Sequence, residues 1–113
     1  MGKHFIRTSH FRQRCQERQI SETLLGMIER NLAQDIDFQL QKLLYEENKI
    51  IITPPFYFVP NTRTPHLIIV RNKKLFITAY WICTEKLIKI IQQEPYFYLN
   101  LDKPNENSPY IIL

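Results

Sequence analysis

An α+β fold is what this sequence predicts: two or three N-terminal helices packed on an antiparallel sheet of about four strands, followed by a short helix and an extended tail. Three observations predict it. Apolar residues recur at helical spacing up to about residue 47, β-branched and aromatic runs separated by Pro or Asn begin at residue 49, and a helical pattern returns over 84–93. At 113 residues and 44% hydrophobic content, the chain can bury one core but not two. The expected organisation is a single domain, with its body over about 8–92 and a C-terminal extension over 93–113.

The first helix is expected over about 10–18, capped by Ser9, with Phe11 and Cys15 one turn apart forming its apolar side. Ser21 caps a second helix over about 22–33, where Leu24, Leu25, Ile28 and Leu32 share one face and Ile20 can staple onto Leu25. The segment 37–47 carries Phe38, Leu40, Leu43 and Leu44 in a pattern that fits a third short helix without excluding other readings. Strands are expected over 49–53, 56–59, 66–71 and 74–82, with Asn72 and Lys73 as a hairpin turn. That turn pairs Arg71, Ile69 and Leu67 with Lys74, Phe76 and Thr78 on one face, which Tyr80 continues. On the other face Val70, Ile68 and His66 pair with Leu75, Ile77 and Ala79, and this face, extended by Trp81, is the expected core side. Thr84 caps a helix carrying Leu87, Ile88 and Ile91, and Pro95 ends it. Residues 96–101 are expected to be extended and 102–109 a solvated loop, with the apolar 110–113 docked on the body or on another chain.

Charge is concentrated at one end. Lys3, Arg7, Arg12, Arg14 and Arg18 against Glu17 place the whole formal net charge of +4 within residues 1–18, leaving the remainder neutral. Such asymmetry points to a local anionic partner, nucleic acid above all, and otherwise to a solvated arm. Cys15 and Cys83 form neither a disulfide framework nor a zinc spacing and read as reduced thiols. The opening residues lack the apolar run of a signal peptide, and no stretch approaches the ~20 apolar residues of a membrane span, so a cytoplasmic protein with no membrane partner is expected.

The most informative stretch is 8–21. His10, Arg14 and Arg18 lie four residues apart, which on a helix stacks them on one side with Glu17 beside them. A proton-transfer group between two permanent cations suits work on a phosphate diester. No H-E-x-x-H pattern, clustered carboxylates or glycine-rich phosphate loop is present, so neither a metal nor another cofactor is expected.

Ser9, His10, Arg14, Arg18, Ile20 and Ser21, followed by short helices, a strand meander and a late strand containing Phe76, Thr78 and Tyr80, resemble small bacterial toxin-like domains of the RelE/colicin/EndoU ribonuclease superfamily. Those domains open with S-x-H-x-x-x-R-x-x-x-R-G-I-S. The resemblance covers roughly 8–82, and Gln19 stands where the family has Gly. It implies a metal-independent endoribonuclease toxin in which the ribose 2′-hydroxyl attacks the adjacent phosphorus. His10 would be acid or base, Arg14 and Arg18 would clamp the phosphate, Glu17 would orient one of them or act as a second base, and Thr78 and Tyr80 would supply hydroxyls. Arg7, Arg12, Arg71 and Lys74 would bind RNA, and an acidic antitoxin or immunity protein would be a second partner. Set against this is a non-catalytic nucleic-acid or protein binding module using the basic helix. Arg18 also fits a structural arginine, Thr78 and Tyr80 fit plain strand formers, and His66 fits a structural or exposed position.

Overall fold

Side-chain caps fix the starts of the first three helices. Thr8, Ser21 and Asp35 have extended backbones, and each accepts the backbone N–H three residues on, from Phe11, Leu24 and Phe38. They begin α1 (Ser9–Glu17), α2 (Glu22–Gln34) and α3 (Ile36–Leu44). The cap of α1 is therefore Thr8 and not Ser9, and the Thr8 hydroxyl also donates to the Phe76 carbonyl of the sheet. The computed structural model describes residues 5–93 and 95–102.

The remaining elements are β1 (Ile6–Arg7), β2 (Glu47–Thr53), β3 (His66–Asn72), β4 (Leu75–Ile82), α4 (Thr84–Gln93) and β5 (Tyr96–Asn100). The sheet is five-stranded and mixed, in the order β1-β4-β3-β2-β5. β2, β3 and β4 form an antiparallel meander, while β1 runs parallel to β4 and β5 parallel to β2. This overturns the expected antiparallel sheet of about four strands with an extended tail. The two-residue β1 is too short to show a period, and the crossover through α4 returns residues 96–100 to the far edge beside β2. Tyr98, Leu99 and Leu101 are buried there, so this segment belongs to the core. Beyond Asp102, the expected solvated loop and apolar terminus lie outside the described residues.

Helices cover both faces. On one, Phe11, Leu24, Ile28, Leu32 and Phe38 pack with Ile50, Ile52, Leu67, Ile69, Phe76 and Ala79. On the other, Leu87 and Ile90 of α4 pack on Ile51, Ile68, Ile82 and Tyr98. Burial of β2 and β3 on both faces explains why their sequences are unbroken apolar runs rather than alternations.

Two local expectations are corrected. Residues 56–58 form a 3-10 turn rather than a strand, because Pro54 and Pro55 fix the backbone and remove two ladder donors, leaving Phe56 and Tyr57 exposed. The hairpin turn is Lys73 and Lys74, closed by the Asn72–Leu75 pair, and a bulge lies between Val70 and Arg71. Arg71 thus faces Phe76, Ile69 faces Ala79, and Leu67 faces Trp81. The extra residue shifts side chains between faces. Ala79 and Trp81 pack toward α1, whereas Tyr80 packs on the α4 side and Thr78, opposite Val70, shares that side.

Candidate functional site

α1 lies along β4 where the short β1 stops, and it is pinned at both ends. Thr8 bonds Phe76 at its start, and at its end the Trp81 Nε1–H donates to the Arg18 carbonyl at 2.7 Å. The Arg18 guanidinium turns inward and donates to the Ala79 carbonyl. Arg18 is thus a structural arginine that satisfies the outer edge of β4.

The predicted constellation is dispersed. His10, Arg14 and Glu17 share the outward side of α1, with His10 exposed and Arg14 bonded to Glu17 at 2.7 Å. Hydrogen bonds from Arg14 and then Gln13 hold the Glu17 carboxyl below the usual carboxylate range, making it a weaker base. Thr78 and Tyr80 lie across the sheet on the α4 side, so their hydroxyls are not brought to His10. Neither groove described below is lined by His10, Arg14 or Arg18.

Of the four residues predicted to bind RNA, two are committed elsewhere. Arg7 forks onto Glu29 and reaches Glu22, tying β1 to α2, and the Glu29 hydrogen bond raises its pKa further. Arg71 is fully buried, donating to Asn48 Oδ1 at 2.7 Å, the Lys73 carbonyl at 2.7 Å and the Tyr45 carbonyl at 3.0 Å, with its guanidinium 5.6 Å from the Phe38 ring. It staples the α3–β2 junction to the hairpin turn and cannot meet a ligand. Arg12 and Lys74 are exposed.

A groove of about 570 Å³ runs between β1, α1 and α2, lined by Phe5, Ile6, Arg7, Arg12, Glu22, Glu29, Arg30 and Ala33. A second, of about 490 Å³, adjoins it between α1 and the start of α2. Arg7 bridges the two carboxylates of the first groove. Arg12 and Arg30 are exposed and form no ion pair with a described residue. Arg30 is the groove residue that sequence reasoning missed: it lies in α2, outside the basic stretch, and only folding sets it opposite Arg12.

Among the described residues, no group of three or more His, Cys, Asp or Glu could hold a metal, and no helix is long and apolar enough to cross a membrane. Burial pushes the Cys15 thiol up to about 11, which makes it a packed, unreactive side chain. No family model matches the chain, and neither the curated proteins nor the solved structures give a match.

Proposed function

We propose that this protein binds nucleic acid, RNA above all, by seating phosphates at the groove between α1 and α2. One observation carries the reading. Arg12 and Arg30 stand exposed on one groove with no ion-pair partner among the described residues, while its two carboxylates are held by Arg7. Guanidinium groups in that state gain by replacing the counterions of a phosphate backbone. Lys74, whose carbonyl accepts the N–H of Ile6 at 2.8 Å, extends the basic surface past β1. The resemblance of the opening motif to the RelE-like ribonucleases supports RNA as the nucleic acid, and an acidic protein inhibitor would compete for the same surface.

The test is binding of a labelled single-stranded RNA measured by anisotropy across a salt series. Arg12→Ala and Arg30→Ala should each flatten the logarithmic salt dependence by about 0.7. Unchanged slopes in both variants would remove the groove from the interface.

Cleavage is a second reading, favoured by one feature: the His10 imidazole is exposed one turn from Arg14. It is a proposal for a bound RNA only. Product formation by the native protein that disappears in His10→Ala, with binding intact, would support an endoribonuclease. Intact RNA after prolonged incubation would leave the binding module.

A further inference from the structure

His66 opens β3 on the α4 side of the sheet, at the end where β2 stops and β5 finishes. Thr53, the last residue of β2, places its hydroxyl oxygen 3.3 Å from His66 Nδ1 and 2.5 Å from the Tyr98 hydroxyl. The Thr53 carbonyl also accepts the N–H groups of Leu101 and Asp102, at 2.9 and 3.3 Å. Three adjacent strands are therefore joined through one threonine, at the end of the edge strand β5.

The Thr53 hydroxyl has a single proton to share. When His66 is neutral with Nδ1 unprotonated, Thr53 donates to Nδ1 and accepts from the Tyr98 hydroxyl, so both contacts are made and neither hydroxyl proton is left over. When His66 is protonated, Nδ1 becomes a donor. Three donor protons then meet two contacts: Thr53 accepts from the imidazole, and either its own proton or the phenolic proton of the buried Tyr98 is left without a partner in the trio. We propose that His66, Thr53 and Tyr98 form an acid-sensitive latch that fastens β5 to the sheet and loosens when His66 takes up a proton.

Burial is what acts on His66, whereas a carboxylate acts on its partner across Thr53. On β5 the neighbour is Tyr98, on which the Asp102 carboxylate acts. On β4 the register partner is Ile82, followed by Cys83. α4 presents Leu87 and Ile90 to this face, while Glu85, Lys86 and Lys89 are exposed. Burial lowers the His66 pKa below its ordinary 6.5. The unfolded chain therefore takes up this proton first as the pH falls. The latch contributes fully above about pH 6.5, and its contribution is lost as the pH drops toward the folded-state value.

The test combines an NMR titration of the His66 ring in the native protein with hydrogen exchange at the amides of residues 97–100. The ring should titrate below about 6.5. Protection of β5, corrected for intrinsic exchange, should fall between neutral and mildly acid pH by up to about tenfold for each pKa unit of displacement. His66→Gln, which offers an acceptor but does not titrate, should abolish that pH dependence. A ring that titrates at or above the free-imidazole value, or the same acid loss of protection in His66→Gln, would overturn the latch. The native titration decides the matter even if the variant fails to fold.

Discussion

Gln19 adopts φ 57°, in the left-handed region, immediately after the last residue that caps α1. The Ile20 N–H bonds the Cys15 carbonyl and the Gln19 N–H bonds the Gln16 carbonyl, the paired closure that ordinarily uses glycine. A side chain there strains the backbone, so Gln19→Gly should stabilise the fold by about 0.5–1 kcal/mol after the added freedom of the unfolded chain is counted. A lower midpoint in chemical denaturation would contradict this. Buried Arg71 sets the opposite case. Burial lowers its pKa, and among the described residues no carboxylate offsets its charge; it is held by Asn48 and two carbonyls instead. Asn48→Ala should destabilise the fold by about 1–3 kcal/mol by leaving a charged donor unsatisfied. Little change on denaturation would show that water or a rearranged neighbour replaces the amide.

At the scale of elements, the edge of β4 explains why α1 sits where it does. β1 pairs only with Leu75 and Phe76, and beyond that point Arg18 and Trp81 bind α1 to the strand. Arg18→Ala should therefore lower stability and expose the Ala79 carbonyl without changing the salt dependence of RNA binding, whereas Arg12→Ala should do the reverse. Loss of salt dependence in Arg18→Ala would return this residue to the interface. The helices were legible because caps and 3.6-residue periodicity are local: Ser21 and the Leu24, Leu25, Ile28 and Leu32 face were readable directly. The strand register was not. A turn displaced by one residue and a bulge between Val70 and Arg71 each change which side chains share a face, and neither leaves a mark in the alternation. That error carried Thr78 and Tyr80 to the wrong side of the sheet.

For the whole molecule, composition located the charge but not its use. Of the basic residues crowded into 1–18, Arg7 and Arg18 hold the fold and Arg14 is tied to Glu17, leaving Arg12 and the exposed His10 facing solvent. The fifth, Lys3, lies outside the described residues. Ion pairs form with residues distant in sequence, such as Glu29 with Arg7, so a count of charges cannot tell a staple from a binding group. On the proposed function, phosphate is held at the groove between α1 and α2. The most direct measurement is an amide NMR titration with a short single-stranded RNA. Shifts should cluster at Arg12, Arg30 and their neighbours in α1 and α2, with the α4 face of the sheet silent. Shifts centred on α4, Tyr80 and Thr78, or no shifts at low salt, would contradict it.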